Sequence, residues 1–161
     1  FFFCLLVASM ILTLSAADSV LFLIAWEVMS LAPFFLISPQ DKDSQERFAL
    51  WIYLVAAHLG AFPLLMLFAG MGVEAGSSGF AELVRHGTGT GWNNAGLFFV
   101  LALLGFGLKC GLVPFHIWMP EAYPAAPGHL SVVFSGAMLN LGLYGLMRAI
   151  SFPGTVETWL A

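Results

Sequence analysis

The sequence predicts an all-α fold, a polytopic transmembrane helix bundle of about five spans with one broken helix near residues 109–120, and three observations predict it. Of the 161 residues, 60% are hydrophobic and 9% are charged, and the mean hydropathy is +0.94. A soluble domain carries about 25% charged residues. Four runs each reach the roughly 20 residues that cross a bilayer: 19–40, in which Glu27 is the one charge, and 48–73, 86–108 and 122–147, which hold no Asp, Glu, Lys or Arg. Runs of that length in lipid must satisfy their own backbone hydrogen bonds, which selects helices over strands.

Helices are expected at 1–16, 19–38, 48–72, 95–113 and 130–150, within one transmembrane domain covering 1–161. The first run opens at Phe1 with no basic stretch ahead of it, so it does not read as a signal peptide. The chain is expected to be an internal piece of a longer protein. The connector "ISPQDKDSQER" (37–47) gathers Asp41, Lys42, Asp43, Glu46 and Arg47 and must lie in water. In "EAGSSGFAELVRHGTGTGWNN" (74–94), Phe80, Leu83 and Val84 are spaced for one face of a short surface helix over 79–86. Its "GTGTG" lacks the strand before and the helix after that a phosphate loop needs. A further short helix is expected within 115–123.

Lys42 and Arg47 fall on one side of a five-span topology and Arg85 and Arg148 on the other, a tie under the positive-inside rule. Cys4 and Cys110 both sit in apolar runs and read as inert buried thiols, not a disulfide or a metal site. The composition contains no basic patch that would suggest nucleic acid.

Two charges stand inside the apolar material. Glu27 lies in the middle of "FLIAWEVMSLAPFF", a depth at which an ionisable group faces other helices or water and is a functional candidate; the plainer reading is a polar link between two helices. Lys109 lies in "GFGLKCGLVPFHIWMPEAYPAAPGH", five residues before Pro114. It could snorkel to the headgroups. Pro114, however, removes a backbone donor and biases Val113 away from helical angles, so the helix should break just past the lysine. Non-helical backbone at membrane depth is tolerated only where protein or a water-filled cavity surrounds it. Gly107 and Gly111 flank the lysine with room for a close neighbour, and Pro120, Pro124 and Pro127 should keep 118–128 from forming one regular helix.

The opposite signs suggest a mechanism. A desolvated lysine sheds its proton more readily, and a carboxylate within about 4–6 Å restores the charged form. Moving Glu27 toward or away from Lys109 would switch the lysine between holding and releasing a proton, against a cost of about 2.3 kcal/mol per 100 mV crossed. His58, His116, His129 and Asn140 are candidate relay members, since histidine titrates near neutral pH. Each also has a plain reading as a hydrogen-bonded packing residue. No spacing suits a zinc site, and no ligand set for a cluster, haem or flavin is apparent, so redox catalysis is expected elsewhere.

The motifs "FLIAWEVMSLAPFFLI", "QDK", "VAAHLG" and above all "GFGLKCGLVPFHIWMPEAYPAAPGHLSVVFSGAMLNLGLYGLMR" resemble the antiporter-like membrane subunits of respiratory complex I, Mrp-type sodium/proton antiporters and energy-converting hydrogenases. They are most similar to the large membrane subunit, component B, of the formate hydrogenlyase and hydrogenase-4 group. The resemblance covers residues 1 to 150. It implies that Glu27 and Lys109 form the family's proton-transferring Glu–Lys pair, that the chain is roughly one of two inverted five-helix repeats, and that residues 39–47 face the cytoplasm. At Asn140 the sequence departs from the family, whose members carry a lysine or histidine there.

The expected function is therefore a proton-translocating membrane subunit of a respiratory-type oxidoreductase, hydrogenase-4/formate hydrogenlyase or NADH:quinone oxidoreductase-like. It would sit in a bacterial or archaeal plasma membrane, with no cofactor of its own and with partner subunits carrying Fe–S clusters and NiFe or flavin centres. A second reading is an Mrp-type cation/proton antiporter subunit, carrying Na+ in exchange for protons. A third is a non-conducting membrane scaffold, for which Asn140 is the best support.

Overall fold

The computed structural model describes residues 1–37, 44–126 and 128–152, and of residues 44, 45, 125 and 129 the backbone alone. Most of the connector, with Lys42, and the side chain of His129 thus lie outside the described residues. Among the described residues, eight α-helices follow one another: α1 (Phe2–Ser15), α2 (Ser19–Ile37), α3 (Ser44–Ala75), α4 (Phe80–Gly89), α5 (Ala95–Cys110), α6 (Met119–Ala125), α7 (Gly128–Val133) and α8 (Leu139–Ser151). A 3-10 turn (Phe115–Trp118) joins α5 to α6, and a π-helical turn (Phe134–Met138) joins α7 to α8. Among the described residues, four stretches are long and apolar enough to cross a membrane: Ser19–Ile37, Glu46–Ala75, Ala95–Pro124 and Leu130–Ser151. α1 is apolar but, at 14 residues, rises about 21 Å against a hydrocarbon core of about 30 Å.

α1 and α2 form an antiparallel hairpin. Leu6, Ser9, Met10 and Thr13 of α1 are buried, the i, i+3, i+4, i+7 pattern of one helix face. Asp18 starts α2 by accepting from the backbone N–H groups of Val20 (3.0 Å) and Leu21 (2.9 Å), which satisfies two of the orphan donors at a helix start. A single antiparallel bridge between Asp18 and Gly79 ties this turn to the start of α4. There Phe80 and Leu83 are buried while Val84 turns outward. Arg148, near the end of α8, donates to the carbonyl of Ala16 at 3.1 Å and lies 4.2 Å over the Phe80 ring. One end of the bundle is thus knotted around the α1–α2 turn.

α3 carries an exposed apolar side on Phe48, Trp51, Val55, Leu59, Phe62 and Met66. Pro33 and Pro63 lie inside α2 and α3, which continue through them; proline is tolerated in membrane helices where neighbours and local adjustment satisfy the freed carbonyl. α3 meets α5 where Gly60 faces Gly105. A Cβ on Gly105 would stand 2.9 Å from the Gly60 carbonyl and would run into Leu64. α8 approaches α5 through Gly142 against Cys110 and Gly145 against Phe106. Small residues at these crossings let backbones pack closely in lipid.

The break past Lys109 is present and is made by glycine ahead of proline. α5 stops at Cys110, short of the expected 113, because Gly111 adopts φ +65°, the left-handed cap that glycine enters without a Cβ penalty. The Leu112 N–H then returns to the Gly107 carbonyl at 3.0 Å. The Val113–Pro114 bond is cis. Pro120 opens α6 instead of interrupting a helix, since it falls in the first turn, where its missing N–H has no partner to lose. Sixteen residues of α5 rise about 24 Å, less than a hydrocarbon core of about 30 Å, and the apolar span continues past the break to Pro124.

Candidate functional site

α2 presents two neighbouring turns to the rest of the bundle, and the two charges are sorted between them. On one side Lys109, at 5% exposure, reaches from the last turn of α5 and donates from Nζ to Ser30 Oγ at 3.0 Å. Ser30 Oγ in turn donates to the carbonyl of Trp26 at 2.9 Å, and Tyr53 Oη on α3 donates to the carbonyl of Ser30 at 3.0 Å. The ammonium also lies 5.9 Å from the Trp26 ring centroid and 5.7 Å from that of Tyr53, distances at which a ring face attracts a cation. An ammonium offers three donors, and Ser30 takes one.

Beside Lys109 is a cavity of about 10 Å³ between Trp26, Tyr53, Gly60, Gly105 and Trp118. That is room for about one water-sized sphere. Trp118, just past the break, donates its indole N–H to the carbonyl of Leu108 at 2.8 Å, so the 3-10 turn is fastened to the residue before Lys109. The Leu108 carbonyl, freed by the break, is therefore satisfied by the protein, while Val113, Pro114, His116 and Ile117 of the broken segment are exposed.

On the other side of α2, Glu27 points to His58 of α3, with Oε2 3.7 Å from Nε2. Their side chains are 37% and 42% exposed, and together with Leu23, Ala61, Phe62 and Leu65 they line an open groove of about 230 Å³. Among the described residues, no ion pair within 4 Å joins Glu27 to Lys109; their nearest polar partners are His58 and Ser30. Both charges belong to the α2–α3–α5 interface, but they occupy separate spaces within it.

The remaining candidates stand apart. His116 is exposed in the 3-10 turn, five residues beyond the Gly111 cap. Asn140 is exposed at the start of α8 and donates to the carbonyl of Gly136 at 2.8 Å, inside the π-helical turn. Ser30, Tyr53 and Trp118 were not singled out from the sequence, although all three surround Lys109. Ser30 follows Glu27 by three residues and so shares its stretch of helix, which is the signal that could have found it. Among the described residues, no group of three His, Cys, Asp or Glu is placed to hold a metal ion. Cys4 and Cys110 are both free, but neither is the buried thiol expected: Cys4 is exposed and Cys110 half-buried.

Comparison with known proteins adds the family. Residues 16–160 match the model of the NADH:quinone oxidoreductase/Mrp antiporter transmembrane family. Hydrogenase-4 component B of Escherichia coli (strain K12) is 38% identical over 149 residues, covering 92% of this chain and 22% of that protein. In the Mrp complex from Dietzia sp. DQ12-45-1b, one subunit superposes with a TM-score of 0.87 at 28% identity, over 98% of this chain and 17% of that one. The membrane-bound sulfane sulfur reductase, an archaeal respiratory membrane complex, gives 0.79 at 27% identity, over 91% and 25%. The chain thus spans a quarter or less of the length of these relatives. With the match running through the α2 carboxylate, the broken α5 and the span that follows, the chain belongs to the NADH:quinone oxidoreductase/Mrp antiporter transmembrane family.

Proposed function

We propose that this chain is part of a proton-translocating subunit of a membrane-bound oxidoreductase complex of the hydrogenase-4 or NADH:quinone oxidoreductase type, in which Lys109 takes up and releases the transported proton. The observation that carries the reading is the setting of Lys109. It is buried at the end of a helix shorter than the hydrocarbon core, with one neutral hydroxyl on its ammonium and a one-water cavity at its side. A lysine that served only as an anchor would extend to the headgroups, and an unneeded ammonium at this depth costs a few kcal/mol.

Glu27 supplies the control. Its α2 position is one turn from Ser30, so a rotation of the carboxylate from His58 toward Lys109 brings an opposite charge to the ammonium, and its return withdraws it. Proton transfer follows when the carboxylate is away, because the ammonium is then held by Ser30 and the two ring faces alone. Water in the adjoining cavity, His116 past the break and the half-exposed His58 extend the path. Electron transfer, with its Fe–S, NiFe or flavin centres, belongs to partner subunits in a bacterial or archaeal plasma membrane.

The likeness to the Mrp complex supports a second reading, exchange of Na+ or K+ for protons without a redox partner. The test is redox-driven proton uptake by inverted membrane vesicles carrying the full subunit in its complex, comparing wild type with Lys109→Gln. Sharply reduced uptake with electron transfer and assembly intact is the expected result. Unchanged uptake in an intact complex overturns the reading, and uptake that depends on Na+ or K+ but not on electron transfer selects the second one.

A further inference from the structure

The hydrogen bonding of the His58 ring fixes what the ring and Glu27 must hold between them. Nδ1 of His58 lies 2.9 Å from the carbonyl oxygen of Leu54, one turn earlier in α3. A carbonyl accepts and cannot donate, so Nδ1 carries a hydrogen. Nε2 is then the nitrogen turned to Glu27 Oε2, at 3.7 Å. With no proton between them, a nitrogen lone pair confronts a carboxylate oxygen across an apolar groove, which is repulsive. With one proton, imidazolium faces carboxylate or imidazole faces carboxylic acid, and both arrangements attract.

Among the described residues, no third ionisable side chain lines the space around this pair, although the charge of Lys109 acts on Glu27 from its separate cavity. The grooves on either side of His58, about 230 Å³ and 370 Å³, are otherwise lined by apolar residues apart from Glu27 itself. On the elements packed against α3, Lys109 of α5 lines the separate cavity. His116 and Glu121 lie around the start of α6, and Glu82, Arg85 and His86 on α4; none of these reaches either groove. The pair is also reachable, in contrast to the sealed ammonium of Lys109.

We infer that His58 and Glu27 form a dyad that holds one proton between Nε2 and Oε2 and delivers it toward Lys109. In the delivery step the proton leaves the dyad and is taken by the lone pair of the neutral Lys109 amine. The dyad is left as imidazole and carboxylate, which repel. The new ammonium and the carboxylate attract, so Glu27 is driven from His58 to Lys109. Reprotonation of the dyad draws it back. The delivery step rests on the role proposed for Lys109, while the holding of the proton does not.

The test is infrared spectroscopy of the intact complex across about pH 5 to 8, the range in which histidine titrates, on wild type, His58→Gln, Glu27→Gln and Lys109→Gln. The expected result is a one-proton step, with carboxyl and imidazole bands changing together, that is replaced in both His58→Gln and Glu27→Gln by a change of the one remaining partner at a different pH and persists in Lys109→Gln. Survival of the step in either dyad variant, or its loss in Lys109→Gln, overturns the dyad. Should a dyad variant fail to assemble, wild-type complex grown on ring-labelled histidine replaces it: the bands of the step must shift with the label, and bands that do not shift overturn the proposal. Redox-driven uptake in the same samples separates the two readings. A missing dyad step beside Lys109-dependent uptake sinks the dyad alone, and Lys109-independent uptake beside an intact step sinks the pump alone.

Discussion

The two sides of α2 treat their charges in opposite ways. Toward α5, Lys109 is enclosed by Trp26, Tyr53 and Trp118, with one hydroxyl and a cavity of about 10 Å³. Toward the outer flank of α3, Glu27 stands in an open groove of about 230 Å³ with a histidine for company. A buried ion pair in direct contact would be locked, since separating it leaves an uncompensated charge in low dielectric. Here each member has its own alternative partner, and the alternatives are what make the pair adjustable.

The comparison breaks most completely if the closed side is forced open. Gly105→Val would put branched carbon where Leu64 and the Gly60 carbonyl already stand. Overpacking of this kind costs about 1–3 kcal/mol or more, and the expected outcome is loss of the subunit from the purified complex, read by the subunit's abundance in membranes. Removing the ammonium's hydroxyl is the next step down. Ser30→Ala should lower the thermal stability of the complex by about 1.5–3 kcal/mol, the range for a hydrogen bond to a charged group, and Ser30→Thr should recover most of it.

Trp118→Phe keeps the ring beside Tyr53 and deletes the donor to the Leu108 carbonyl. About 0.5–1.5 kcal/mol is expected, with faster hydrogen exchange in 111–118 as the signature of a loosened break. The smallest effect belongs to the open side. Ala61→Val adds two carbons to a groove with room for them, and should leave the melting temperature of the complex nearly unchanged. A large loss there would mean that the groove is filled by a tightly fitted neighbour.

Much of this division could be read from the sequence, and the physical reason is the scarcity of charge. An ionisable residue in an apolar run is conspicuous, so Glu27 and Lys109 stood out at once, and run lengths placed the spans to within a few residues. α3 begins at Ser44, ahead of the expected 48, because Glu46 and Arg47 continue the helix beyond the apolar run. What the sequence hid was conformational and relational. Gly111 reads as one small residue among many, and its left-handed turn, which ends α5 before Pro114 can, is a backbone fact. The same lesson comes from Pro33 and Pro63, which interrupt nothing.

Ser30 and Tyr53 were hidden for a different reason. Serine is common in membrane helices, and nothing in "EVMSL" says that its hydroxyl meets a lysine 79 positions on. His58 was visible as a candidate, but the orientation of its ring toward Glu27 depends on the Nδ1 bond to its own helix. The π-helical turn at Phe134–Met138 had no signature at all in the apolar pattern, since "FSGAM" fits an α-helix equally well.

The central claim, that Lys109 is a titrating proton carrier and not merely a fixed positive charge, is tested most directly by Lys109→Arg. Arginine keeps the charge and can donate to Ser30, but it does not give up its proton in a protein. The measurement is redox-driven proton uptake by vesicles in which the variant complex is shown to assemble and to transfer electrons. The account predicts uptake as low as in Lys109→Gln. Uptake at the wild-type level with arginine in place would contradict it, because a permanent cation would then suffice.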